Sequence, residues 1–347
     1  MLPEGSMILY VDSDACTVKA VGIDGGEKIT LTTRPPDYDW WGPAFSPEGK
    51  KLAFVLNDGN YDLYVMDLDG SGLPMFADAM AFAWSPDSRQ LVYQNYDSGT
   101  QRGALAIVNA DGSGAYTLDY ADISICTTCD ADIAISWSPD GQWIYAPADL
   151  EFPESGPVTP NIFRVDGEEH RQLGKEEVSI FAAAAWSPES QFLALPALDP
   201  AGEGCGELHL FGLDGDERTL HAATAYKQGE PGIAPSCFWG DFLWSPDGES
   251  ILASGYPEGE FAAGEVKYDR ILVTSVRSEN VGLLEYWPGH PGASLWSPDG
   301  SQIVFVSSRD METHGGSGLL VIMHNDPNSP EFRTLAETAR NSPGALF

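Results

Sequence analysis

An aromatic residue followed by Ser-Pro and an acidic residue occurs six times in this chain of 347 residues. The six copies are Phe45-Ser46-Pro47-Glu48, Trp84-Ser85-Pro86-Asp87, Trp137-Ser138-Pro139-Asp140, Trp186-Ser187-Pro188-Glu189, Trp244-Ser245-Pro246-Asp247 and Trp296-Ser297-Pro298-Asp299. Their serines are 39, 53, 49, 58 and 52 residues apart. A unit of that length cannot bury an apolar face alone and must stack on its neighbours, so the repeat constrains the fold more than any other feature. Length by itself would admit two or three domains. The repetition instead argues for one repeat domain over residues 1–347.

Each part of the phrase has a physical task. Proline presets φ for the first central position of a tight turn, the acidic residue favours the next, and the glycine that follows in four copies tolerates positive φ. The aromatic is expected to fill the gap between neighbouring units. After each turn comes an apolar run of strand length, such as Lys51-Leu52-Ala53-Phe54-Val55 or Gln302-Ile303-Val304-Phe305-Val306. A second run follows, for example Asp62-Leu63-Tyr64-Val65-Met66. It usually ends in an Asp-Gly hairpin signal, as at Asp111-Gly112, Asp166-Gly167 and Asp214-Gly215. Short last strands such as Tyr116-Thr117-Leu118 and Arg218-Thr219-Leu220 complete the unit.

These residues resemble the TolB-like (WD40-like, PD40) propeller repeat, which also builds the propeller domains of prolyl oligopeptidases. The resemblance covers nearly the whole chain. It implies an all-β propeller of four-stranded antiparallel blades. Ahead of the first phrase lie strands over residues 7–11, 18–24 and 28–33, the second, third and fourth of a blade that lacks its first. If residues 344–347 supply it, the ring closes by pairing both chain ends and leaves no exposed sheet edge. That favours seven blades, with six or eight as alternatives.

Lys and Arg number 18 against 52 Asp and Glu, a formal charge of −34. Such a surface repels phosphate backbones and anionic headgroups, which excludes nucleic acid as a partner and leaves cations, basic proteins and neutral glycans. The charge alternatively serves only solubility. No apolar run approaches the about 20 residues of a membrane-spanning helix. The chain opens without a basic segment and apolar stretch of secretory type, so a leader already trimmed, with residues 1–6 as a remnant, is the expectation.

In a propeller of this strand order the Ser-Pro and Asp-Gly turns share one face and are short, while long loops occupy the other. Function concentrates in long loops on a rigid scaffold. Candidate ligand-binding residues are therefore Tyr38, Trp40 and Trp41 in the segment 34–43, Phe238 and Trp239 in 221–240, Trp287 and His290 in 286–292, and Arg309 and His314 in 307–318. Aromatics at a channel mouth suit sugars or peptide side chains. The alternative is that they cap the core beneath the loops. Asp12, Asp14, Asp58, Asp62, Asp97 and Asp310 make calcium possible, though no 12-residue EF-hand loop is present. No other cofactor is expected.

Catalytic signatures are missing. There is no GxSxG elbow and no HExxH, and the Ser-Pro-Asp-Gly phrase resembles sialidase Asp-boxes with its glycine in the wrong place. The expected function is a noncatalytic extracytoplasmic scaffold, a monomeric module or part of a larger assembly, that binds a protein, peptide or cell-wall glycan. The alternative is a propeller hydrolase or lyase with a calcium- or histidine-centred site at the channel mouth. Of the five cysteines, Cys126 and Cys129 are close in sequence, and the blade scheme brings Cys205 and Cys237 to one face of one blade, leaving Cys16. Two such disulfides would place the chain in an oxidising compartment. Five free thiols in the cytosol is the competing reading.

Overall fold

The computed structural model describes residues 7–12, 17–22, 24, 28–33, 39–57, 61–68, 71–76, 79–97, 102–118, 124–125, 135–149, 157–174, 178–179, 184–196, 208–220, 236–257, 268–276, 281–288, 291–307, 318–324, 332–338 and 345–346. Among them the secondary structure is all β, and no helix is long and apolar enough to cross a membrane. The strands in chain order begin with β1 (Met7–Asp12), β2 (Thr17–Gly22), β3 (Lys28–Thr33), β4 (Asp39–Phe45), β5 (Lys51–Asn57), β6 (Tyr61–Asp67) and β7 (Gly72–Phe76). Then come β8 (Ala79–Trp84), β9 (Gln90–Asp97), β10 (Arg102–Asn109), β11 (Tyr116–Leu118), β12 (Ser124–Ile125), β13 (Ser136–Trp137), β14 (Trp143–Asp149), β15 (Pro157–Arg164), β16 (His170–Gln172) and β17 (Val178–Ser179). The remainder are β18 (Ala185–Trp186), β19 (Phe192–Pro196), β20 (Leu208–Gly212), β21 (Glu217–Leu220), β22 (Ser236–Trp244), β23 (Ser250–Pro257), β24 (Tyr268–Ser275), β25 (Val281–Pro288), β26 (Pro291–Trp296), β27 (Gln302–Ser307), β28 (Gly318–His324), β29 (Phe332–Thr338) and β30 (Ala345–Leu346).

Among the described residues, four-stranded antiparallel sheets run in the orders β3-β2-β1-β30, β4-β5-β6-β7, β18-β19-β20-β21, β22-β23-β24-β25 and β26-β27-β28-β29. A further sheet of ten strands contains two meanders, β8-β9-β10-β11 and β13-β14-β15-β16. They are joined by β12, whose Ile125 pairs with Gly103 on one side and Ala148 on the other, while β17 adds to β15. The strand expected from residues 344–347 is present as β30, with Leu346 opposite Leu9 and Ala345 opposite Tyr10. The chain divides into two compact units, one of residues 1–34, 199–210 and 218–347, the other of 35–198 and 211–217.

The Ser-Pro phrase folds the same way in every copy. The serine carbonyl accepts from the N–H three residues on, as in Gly141 to Ser138 at 2.8 Å and Gly300 to Ser297 at 2.9 Å. The serine Oγ accepts from the N–H that opens the next strand, such as Trp143 at 2.9 Å and Gln302 at 2.9 Å. Where an Asp follows the proline, the same hydroxyl donates to it, as Ser85 to Asp87 at 2.7 Å and Ser297 to Asp299 at 2.6 Å. The hydroxyl of Ser297, with the N–H and hydroxyl of Ser301, holds the Asp299 carboxyl down at about 2. Because that value lies below the ordinary 3.8, the bonds persist above the carboxylate range and are lost only as pH falls through it.

The fourth turn position has positive φ throughout. Glycine supplies it at Gly49 (68°), Gly141 (72°), Gly248 (71°) and Gly300 (70°), but Ser88 (61°) and Ser190 (58°) adopt it too. Each of these serines gains something a glycine cannot provide. Ser88 Oγ accepts from the Glu48 N–H at 3.0 Å, and Ser190 Oγ from the Asp140 N–H at 2.9 Å, tying one turn to the turn of the preceding sheet. A left-handed L-residue costs roughly 1–2 kcal/mol, and a buried hydrogen bond returns about 1 kcal/mol. Ser88→Gly should therefore leave stability within about 0.5 kcal/mol. Ser88→Ala keeps the strain and loses the bond, and should cost about 1 kcal/mol in urea unfolding; equal effects of the two variants would contradict this role.

Three of the phrase tryptophans join neighbouring sheets as expected. Trp84 Nε1 donates to the Ala44 carbonyl at 3.0 Å, Trp137 Nε1 to Ala83 at 3.2 Å, and Trp296 Nε1 to Leu243 at 3.2 Å. In each case the acceptor is the residue just before the preceding copy's aromatic. Around them pack fully buried residues such as Leu91, Ile107, Tyr145, Phe163 and Phe211. Farther out, Arg171 lies 4.6 Å over the Trp143 ring and donates to the Leu213 carbonyl at 3.0 Å, and Tyr116 Oη reaches the Val165 carbonyl at 3.2 Å.

Candidate functional site

The candidate aromatics among the described residues lie at the ends of their sheets opposite the Ser-Pro turns, but in strands rather than loops. Trp40 and Trp41 belong to β4, pairing with Leu56 and Val55. Phe238 and Trp239 belong to β22, and Trp287 pairs with Asp269 across β25 and β24. This corrects the expectation that 34–43, 221–240 and 286–292 are connections throughout. Glycine and proline in Trp40-Trp41-Gly42-Pro43 read as breakers, yet a bulge accepts them without ending the strand.

That bulge recurs. In β4 the residues Gly42 and Pro43 together oppose Phe54, between the pairs Trp41 with Val55 and Ala44 with Ala53. In β8 the register shifts between Ala79 and Phe82, in β22 between Phe238 and Phe242, and in β26 between Pro291 and Ser294. Trp239 is itself one of the extra residues. Bulges bend a strand and re-aim its side chains, and they gather beside functional sites. Residue types did not expose this feature, but the extra residues between each aromatic pair and its Ser-Pro phrase were its signal.

Adjacent aromatics are thus placed together in β4 and in β22. Trp287 stands three strands from β22 in the same sheet, roughly 14 Å across it. Tyr38, His290, Arg309 and His314 lie outside the described residues, as do Cys16, Cys126, Cys129 and Cys205. Cys237 lies in β22 opposite Tyr256, not in the connection before that strand.

Of the candidate calcium ligands, Asp14, Asp58 and Asp310 lie outside the described residues, while Asp12 ends β1, Asp62 is the second residue of β6 and Asp97 ends β9, in three different sheets. Asp97 opposes Arg102. Among the described residues, no three His, Cys, Asp or Glu side chains gather to hold a metal. His170 bonds Asn161 Oδ1 at 2.7 Å and stacks on Phe163, and burial lowers its pKa. His209 is buried in β20.

No family model and no curated protein sequence matches the chain. Solved structures do. TolB from Acinetobacter baumannii is 14% identical with a TM-score of 0.51, over 95% of this chain and 78% of that one. An oligogalacturonate lyase from Vibrio parahaemolyticus is 14% identical with a TM-score of 0.62, over 96% and 87%. Another oligogalacturonate lyase, in complex with manganese, is 14% identical with a TM-score of 0.63, over 96% and 84%. A fold shared by a TolB and two oligogalacturonate lyases decides no activity. They do agree with the repeated Ser-Pro turn and the antiparallel four-stranded sheets: this chain has the TolB-like β-propeller fold.

Proposed function

We propose that residues 1–347 form one seven-bladed propeller, closed by β30 on β1, and that it is a noncatalytic scaffold acting outside the cytoplasm. It binds a protein, peptide or cell-wall glycan at the strand ends opposite the Ser-Pro turns. The observation that supports this most is the bulge that recurs in β4, β8, β22 and β26, with adjacent aromatics placed at it in two of the four. A charge of −34 favours a neutral or basic ligand. The reading requires no cofactor.

A second reading is a lyase or hydrolase with a calcium- or histidine-centred site, supported by the likeness to oligogalacturonate lyase over 96% of this chain. The same charge opposes a polyuronate substrate unless a divalent cation screens it. Titration with soluble cell-wall glycan fragments and with a basic peptide, in EDTA and in calcium, separates the two. The scaffold predicts saturable binding in EDTA without cleavage; calcium-dependent product would replace it with the enzyme. Trp41→Ala with Trp239→Ala should weaken that binding on the order of 30-fold, with the far-UV spectrum unchanged. Loss of folding would instead assign both residues to the core.

The compartment is tested by titrating thiols in the denatured, unreduced chain. Bridges Cys126–Cys129 and Cys205–Cys237 leave one of the five cysteines reactive. Five reactive thiols would exclude both bridges and the oxidising compartment with them.

A further inference from the structure

One gap between sheets departs from the repeat. The residue before each phrase aromatic pairs with a residue of the next strand, and these pairs are Ala44 with Ala53, Ala83 with Val92, Ala185 with Ala194, Leu243 with Leu252 and Leu295 with Val304. All ten residues are apolar. The remaining copy pairs Ser136 with Tyr145, so two hydroxyls stand where every other copy has none.

Strand geometry fixes where those hydroxyls face. Trp137 points toward the preceding sheet, since its Nε1 bonds the Ala83 carbonyl. Successive side chains alternate, so Ser136 points the other way, toward the sheet of β18 and β19, and Tyr145, opposite it, shares that face. Trp186 belongs to that following sheet and should return toward Ser136 as Trp137 does toward Ala83. Yet Trp186 Nε1, Ser136 Oγ and Tyr145 Oη are all buried without a hydrogen-bonding partner in the protein. Tyr145 is 0% exposed and Trp186 8%, and both belong to one apolar cluster. At the position of Tyr145 the other copies carry alanine, valine or leucine, and only beside the tyrosine is the indole N–H known to bond no strand carbonyl.

We propose that this gap is a built site for one buried water that accepts from the Trp186 indole N–H and bridges the Ser136 and Tyr145 hydroxyls. Buried polar groups are seldom left unpaired, and a buried water makes two to four hydrogen bonds, which this trio supplies. One donor and two groups that both donate and accept complete a water's geometry. The site tethers two adjacent sheets where the direct tryptophan bond is missing. It does not depend on the proposed ligand-binding role.

Two measurements test it, and both must hold. A diffraction structure should show an ordered solvent peak within hydrogen-bonding distance of all three atoms; no peak, or Trp186 Nε1 bonded directly to the Ser136 carbonyl, would overturn the site. Tyr145→Phe should lower Tm by roughly 2 °C by removing one arm of the bridge. An unchanged or raised Tm, as expected when an unsatisfied hydroxyl is deleted, would overturn it too.

Discussion

Replacing Trp137 with alanine should destabilise the chain by about 3–5 kcal/mol, the range for truncating a buried aromatic. The side chain is 8% exposed and packs in one cluster with Trp143, Tyr145, Trp186 and Phe211. Its indole N–H also holds the neighbouring sheet through Ala83. Trp137→Phe separates the two contributions, because it keeps most of the packing and removes the hydrogen bond, for about 1 kcal/mol. Chemical denaturation of both variants provides the comparison. Similar, small losses would mean that the phrase aromatic is not the element that joins the sheets.

Deleting residues 344–347 should have a comparable effect by a different route. It removes β30 and leaves β1 as a bare edge. Ile8, Leu9 and Tyr10, at 0%, 3% and 2% exposure, lie on that strand, and partial exposure of such side chains costs on the order of 3 kcal/mol. An uncovered edge also seeks another strand, so dimers or larger aggregates should appear in size-exclusion chromatography with light scattering. A monomer with unchanged Tm would show that β30 contributes nothing to closure.

Much of this was legible in the residues because turn chemistry is local. Proline, an acidic residue and glycine at fixed offsets specify one turn, and six copies place it six times. The strand β30 followed from counting, since the first three strands lacked a partner. Other features depend on distant parts of the chain. Ser88 and Ser190 replace glycine in strained positions because each reaches a backbone N–H 40 or 50 residues away. The two residues of β12 join meanders by pairing with Gly103 and Ala148, and nothing in Ser124-Ile125 announces it. The bulged strands were hidden for the opposite reason: Gly42 and Pro43 carry strong local signals that favour a loop, and pairing with β5 overrides them. The candidate site was legible as residue types and as an end of the sheets, not as strand positions.

The most direct test is a diffraction structure of the whole chain. A propeller closed as proposed should show seven four-stranded sheets about one axis, β30 and β1 in a single sheet, and Trp40-Trp41 and Phe238-Trp239 at the same end of that axis. Six or eight sheets, chain ends in different sheets, or the two aromatic pairs at opposite ends would contradict it.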